Sequence, residues 1–306
     1  MILYLKSKKT GIKLAISMKK TLLLFTLLLT PLFSQIQEGP RPHPYDYTLS
    51  VAAIFQKEAR FLKEWVEYHV LVGVEHFYLY NNSSDDNYLE VLQPYIDWGI
   101  VELFDYPSAT DKMWTNTQVR AMQDAIKRAR QSSRWLAMID IDEFLVPTEG
   151  VSLLPYLHAH EDYSQIVIPW RMFGTSFVEK IPDGTLLIDA LTLREAFLPG
   201  RERLTKTITK PQSIEHLYIH RSFLYPERIE LVLSDPYDPA PPLVIHHYWT
   251  RDIAFLTEVK KERQTRVWGK EWTDEELEEM ISRYNEVEDT SLQRFSPILR
   301  KSLFGR

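Results

Sequence analysis

The chain has 306 residues and is 44% hydrophobic, 25% charged and 12% aromatic, which excludes the disordered, collagen-like and coiled-coil classes. It has no cysteine, so a disulfide scaffold, a thiolate metal site and a cysteine nucleophile are excluded, and its 10 glycines form neither of the common glycine-rich phosphate loops. The formal net charge is −6, but residues 1–34 hold six lysines and no acid, which leaves the rest at −12, without the footprint of a nucleic-acid binder.

In chain order, residues 18–34 read MKKTLLLFTLLLTPLFS, a positive start, an apolar run and a small residue at Ser34. This is the layout of a signal peptide, with Met18 as a candidate start and a short membrane anchor as the alternative. The segment 1–34 is therefore expected to export the chain or attach it to a membrane. The proline-rich stretch 35–46 reads as a linker. From Tyr47 the pattern alternates: strand 47–55, helix 57–72 with Phe61, Trp65, His69 and Val72 at helical spacing, strand 76–80, helix 88–98, strand 100–104, helix 116–130 and strand 135–141. Later strands are expected at 165–170, 185–190, 205–210 and 243–248. Helices are expected at 251–268 and 273–284, the latter opened by a Thr273…Glu276 capping box. The reading is one α/β domain over 47–250 with a mostly parallel central sheet, and a helical extension over 251–306.

In such sheets ligands bind beyond the carboxyl ends of the strands. Two polar segments fall there, Asn81–Asp86 and the run Asp140-Ile-Asp142-Glu143-Phe144. On a continuing strand, Asp140 and Asp142 would share a face. Two carboxylates so placed favour a hard cation between them, Mg²⁺ or Mn²⁺, which would neutralise a diphosphate leaving group. A solvated strand end is the plainer alternative. A strand followed by DxD also opens haloacid-dehalogenase-type phosphatases, but there a small or hydroxyl residue is expected where Glu143-Phe144-Leu145 stands. A catalytically silent carbohydrate-binding protein is the third reading.

Residues 57–104, with WLAMIDIDEFL and VIHHYW, resemble glycosyltransferase family 92. The matching pieces are the Glu58…His69 helix, the strand after Gly73, the Asn82-Ser83-Ser84 turn and the Asp140–Phe144 run, and the resemblance covers about residues 47–260. It implies a GT-A (Rossmann-like) fold, a UDP-sugar donor, Mn²⁺ (or Mg²⁺) and inversion during transfer of a hexose, galactose by default, to a glycan or glycoconjugate hydroxyl. It further implies that Asp140 faces ribose and metal, that Asp142 ligates the metal and that Glu143 orients Asp142 or the sugar. Glu58, Asn81 and Asn82 would line the nucleotide pocket, although the family's aspartate-asparagine pair is here Asn81-Asn82. His247 would complete the metal shell. Trp170, Arg171 and Gly174 would face the acceptor, and Lys206 would steady the departing diphosphate. His220 falls at a family-like position without a derived role. For the catalytic base, an acid on the acceptor side is needed. Asp183 and Glu179 are the candidates, with Glu195 as a third.

Overall fold

The computed structural model describes residues 45–305 apart from residue 236. The expected leader over 1–34 and the linker up to residue 44 lie outside the described residues. Among the described residues, no helix is long and apolar enough to cross a membrane.

The strands are β1 (Tyr47–Phe55), β2 (His76–Asn81), β3 (Val101–Asp105), β4 (Ser133–Met138), β5 (Glu143–Pro147), β6 (Gln165–Met172), β7 (Leu193–Arg194), β8 (Thr205–Thr209), β9 (Ile214–Tyr218), β10 (Arg221–Leu224), β11 (Glu230–Val232), β12 (Leu243–His247) and β13 (Val287–Glu288). Nine of them form one sheet in the order β3-β2-β1-β4-β8-β6-β12-β5, with β11 beside β6. The pairs among β1 to β4 are parallel, as are β6 with β11 and β12, whereas β8 and β5 run antiparallel to their neighbours. The expected α/β class and mostly parallel sheet are therefore observed.

The parallel half reads as a buried sheet must: Leu49–Phe55 of β1 is buried without a break because both faces are covered. One face receives the helix Ala59–Leu71, which buries Phe61, Leu62, Trp65, Val66, Tyr68 and His69 at three- and four-residue spacing. Each aliphatic or phenylalanine side chain among them, taken fully out of water, contributes about 1.5–3 kcal/mol. The same helix fixes β5 from behind: Trp65 Nε1 donates to the Glu143 carbonyl at 2.8 Å and Tyr68 Oη to the Leu145 carbonyl at 2.9 Å. The other face receives the helix Trp114–Ser132 through Ala121, Ala125 and Ala129, small residues that let it lie close. That helix brings Gln118 to the carboxyl end of β4.

Three expectations change. The strand expected over 135–141 ends at Met138, so Asp140 and Asp142 lie in a tight turn between β4 and β5, closed by the Glu143 amide donating to the Asp140 carbonyl at 3.0 Å. The strand expected over 185–190 is instead a short helix, Leu187–Ala190, because the Glu64 carboxylate accepts from the Leu187 and Ile188 amides at 2.7 and 3.1 Å. The 251–268 helix is interrupted: Ile253–Phe255 passes into a π-helical turn, Leu256–Lys260, before Lys261–Trp268. The Thr273–Glu276 capping box forms as expected at the helix Asp274–Arg283. Residues beyond 250 join the main body, with Leu292, Phe295 and Leu299 in the core and β13 pairing with β7.

Candidate active site

β1 and β4 lie side by side with Ala52 opposite Met138, so the segments leaving them emerge at one edge of the sheet. A cavity of about 420 Å³ opens there, lined by Phe55 at the end of β1 and by Gln56 and Glu58 just after it, from the β4–β5 turn by Asp140 and Asp142, and from the end of β12 by His247. The helical segment after β12 adds Lys260, Arg263 and Gln264, and several aromatic rings, Trp114, Trp170 and Trp249 among them, complete the wall.

The two aspartates have different surroundings. Asp142 is 6% exposed. Its Oδ2 lies 2.7 Å from Lys260 Nζ and its Oδ1 lies 3.4 Å from His247 Nε2. Burial opposes its charge, but Lys260 and His247 outweigh burial and hold the carboxyl well below its usual range. Asp140 is more open and accepts from Gln118 Nε2 at 3.0 Å and from Lys206 Nζ at 2.8 Å. Lys206 is itself buried. Burial works against its charge, yet Asp140 and Glu143 keep it above lysine's ordinary range. The charge is thus balanced internally, two carboxylates by two ammonium groups.

His247 is held below its ordinary value by burial, against the pull of Asp142, so its ring is neutral at pH 7. The ring packs 4.2 Å from that of Trp170. The Tyr248 amide donates to the Asp142 carbonyl at 2.8 Å, which fixes the end of β12 to the acidic turn. The neighbouring His246 points into the core against Phe173, 4.4 Å between rings, and burial takes it down to about 3.

Glu143 does not line the cavity. It is fully buried, its Oε2 accepts the Asp140 amide at 2.8 Å, and Lys206 Nζ lies at 3.6 Å. Burial raises its carboxyl well above the ordinary range, with Lys206 opposing. The geometry makes it a brace for the acidic turn. Glu58 does line the cavity, held by Arg251 at 3.2 Å and Arg263 at 3.6 Å. His220, at the β9–β10 hairpin, reaches the wall with its ring 5.3 Å from Trp170.

Several expected site residues lie elsewhere. Asn81 and Asn82 do not line the cavity. Asn81 Nδ2 donates to Tyr88 Oη and Asp105, its Oδ1 accepts the Ser84 amide, and Asn82 exchanges bonds with Ser108. Their turn presents Asp86, whose carboxylate accepts the Ala59 amide at 2.8 Å and so caps the first helix. These bonds engage the side-chain amides of both asparagines within the fold. Gly174 also stands off the wall: a Cβ there would collide with the Asn285 side chain and the Tyr284 carbonyl, so glycine permits close packing of the C-terminal segment. Glu179 and Asp183 are exposed and line neither this cavity nor the arginine-rich one beside it; Asp183 borders a separate hollow with Arg60 and Ile181. The backbone that carries them pairs with the segment after β12, the Ile253 and Ala254 amides donating to the Val178 and Glu179 carbonyls.

Gln118, Lys260, Arg263 and Trp249 are site residues that the sequence did not single out. Lys260, Arg263 and Gln264 follow i, i+3, i+4 spacing, a signal that they share a helix face. Nothing local shows that this face meets Asp142.

The donor set of Asp140, Asp142 and His247, two carboxylate oxygens and a neutral imidazole on one cavity wall, has the chemistry of a hard or borderline divalent cation site. Among the described residues, however, no three histidine or acidic side chains converge as a ready-made metal group, and Lys206 and Lys260 pair with Asp140 and Asp142.

The profile of Glycosyltransferase family 92 matches residues 45–294. A castor bean (Ricinus communis) protein named as a member of that family is 25% identical over 288 residues, covering 83% of this chain and 47% of that protein. The Caenorhabditis elegans protein named beta-1,4-galactosyltransferase galt-1 is 31% identical over 114 residues, covering 35% of this chain and 27% of that protein. The chain spans about half or less of the length of these curated relatives. Among solved structures, Staphylococcus aureus TarS 1–349 in complex with UDP aligns over 81% of this chain and 72% of that one, at 11% identity and a TM-score of 0.39.

Proposed function

The chain belongs to glycosyltransferase family 92, and from that premise we propose that it transfers a hexose, galactose by preference, from a UDP-sugar to a glycan hydroxyl with inversion. The supporting observation is the cavity at the carboxyl edge of β1 and β4, where Asp140, Asp142, His247 and Lys260 meet. In this reading Gln56 and Glu58 take the nucleoside and the tryptophan rings stack on base and sugar. Lys260 and Arg263 offer positive charge to the diphosphate. The acceptor oxygen attacks the anomeric carbon on the face opposite the diphosphate. The new C–O bond forms as the old one breaks, UDP leaves with the electron pair, and the acceptor's proton passes to a carboxylate. Of the acids considered for that last step, Glu195 is the one that lines the adjoining cavity on the Trp170 side.

Asp140, Asp142 and His247 would hold Mn²⁺ or Mg²⁺ in exchange for the ion pairs that Asp140 makes with Lys206 and Asp142 with Lys260. Such an ion supplies positive charge against the leaving diphosphate. Measuring UDP binding with EDTA and then with added Mn²⁺ tests this: binding should be lost and then restored, and equal affinity in both conditions rules the ion out of donor binding. A screen of UDP- and GDP-sugars for slow hydrolysis tests the donor class. Turnover of an aryl phosphate in place of any nucleotide sugar would support a phosphatase. No turnover of either substrate would support a binding protein. For location, we propose export or membrane attachment through residues 18–34. Sequencing the N-terminus of the cell-derived protein for cleavage after Ser34 decides between them.

A further inference from the structure

A second cavity, of about 180 Å³, adjoins the first and shares Trp170, Met172, Leu204 and Tyr284 with it. Its wall holds five arginines, Arg171, Arg194, Arg201, Arg203 and Arg283, against two acids, Glu195 and Glu202. Glu195 is shared between Arg201 and Arg283, and Asp289 between Arg194 at 2.8 Å and Arg171 at 3.4 Å. Arg203 has no carboxylate within ion-pair distance among the described residues. It donates to the carbonyls of Asp235 and Asp238 at 2.6 and 3.0 Å, while those two carboxylates turn to the amides of Tyr237 and Ala240. Its Nε is buried without a partner among the described residues. Burial, reinforced by the guanidiniums of Arg194 and Arg203 and opposed by the carboxylates of Asp289 and Asp238, presses Arg171 below arginine's ordinary range.

This excess of positive charge sits in a chain whose residues beyond 34 total −12. Arg171 and Arg194 are 17% and 19% exposed and Arg201 and Arg283 are 43% and 41% exposed, and a wall on which guanidiniums outnumber acids favours a ligand that brings negative charge. The planar fork of arginine matches a carboxylate or phosphate through two parallel bonds. The donor's own diphosphate is not that ligand, because none of these five arginines lines the donor cavity, which has Lys260 and Arg263 for the purpose. Resting on the glycosyltransferase reading, we infer that the acceptor is an anionic saccharide, whose carboxylate or phosphate docks in the arginine cavity and whose reactive hydroxyl passes the Trp170 wall into the donor cavity.

The test is calorimetric titration of the full chain with a hexuronate disaccharide, a hexose phosphate and a neutral disaccharide, with UDP titrated into the same preparations. The expected result is binding of one of the two anionic probes, at least about 10-fold tighter than the neutral sugar and weakening with added salt. The anionic probe that binds identifies carboxylate or phosphate as the docking group. Arg203→Gln and, at a more exposed ion pair, Arg201→Gln should each weaken that probe by about 10-fold, with Arg201→Lys intermediate. Equal affinity for the neutral disaccharide, or anion binding indifferent to both glutamine variants in samples that melt normally, overturns the inference. Anion binding that responds to these variants while UDP fails to bind would instead overturn the donor reading and leave the arginine cavity assigned.

Discussion

Lys260 Nζ lies 2.7 Å from Asp142 Oδ2, both side chains 8% exposed, although 118 residues separate them in the chain. The lysine sits at the end of the π-helical turn, with its ammonium 5.2 Å from the centre of the Trp249 ring. A cation carried by the C-terminal helices therefore completes the charge of a turn built by the parallel half of the sheet. Lys260→Met leaves Asp142 buried beside only His247, and removing one partner of such a pair costs about 3–5 kcal/mol. If the position is a cation site, Mn²⁺ should raise the melting temperature of Lys260→Met more than that of the parent. Equal shifts in the two proteins would show that the ammonium does not stand where an ion binds.

Asp142→Asn should abolish transfer and also destabilise the fold, because it strands Lys260. The double variant Asp142→Asn/Lys260→Met removes both charges and should recover most of the lost stability without recovering activity. Thermal melts and a transfer assay on the three variants check this. Activity in the double variant would free Asp142 from any direct part in the chemistry.

The pH dependence of stability should carry a signature of Glu64. Burial, opposed by the Leu187 and Ile188 amides, raises its carboxyl from 4.5 to about 7. The folded state thus holds this proton more tightly than the unfolded chain does. The stabilisation is complete below pH 4.5 and is lost as pH rises through about 7, a change on the order of 3 kcal/mol. Urea titrations between pH 4.5 and 7.5 should show the parent losing stability relative to Glu64→Gln. Parallel curves would refute the assignment.

Gly174→Ala should destabilise by about 1–3 kcal/mol, because the added methyl meets the Asn285 side chain and the Tyr284 carbonyl. Hydrogen exchange should rise at Ser176, whose amide donates to Asn285 Oδ1 at 2.7 Å. Unchanged exchange there would mean that the segment relaxes elsewhere.

Much of the parallel half was legible in the sequence. The apolar run of β1, the helical spacing of Phe61, Leu62, Trp65, Val66 and His69, and Gly73 behind them are local signals, and the observed elements follow them closely. Asp140, Asp142 and His247 stood out in the sequence because acids and a histidine stand at the ends of apolar runs, and the structure brings the three to one cavity wall. What was not legible depends on contacts between distant segments. The helix at Leu187 needs a carboxylate from residue 64. β5 hid inside a motif because its apolar residues pair with β12, nearly 100 residues later. Asn81 and Asn82 have the composition of a ligand-binding turn, and only the structure shows their side-chain amides engaged by Tyr88, Asp105 and Ser108. Lys260 lay in a segment read as an appendage, since a helix face does not reveal what it will meet.

The wide turn at Leu256–Lys260 fits five residues where a regular coil would place about four. Excising one of them, Glu258 for example, would restore ordinary winding and leave Arg263 and Gln264 facing as they do, because the wide turn already absorbs the extra residue. Excising Glu262 from the regular coil Lys261–Trp268 would instead swing every later side chain of that rod by roughly 100° about its axis. The electrostatic composition of the cleft is thus encoded partly in a residue count: a deletion in the wide turn is absorbed, and one beyond it rewires the wall with no side chain altered.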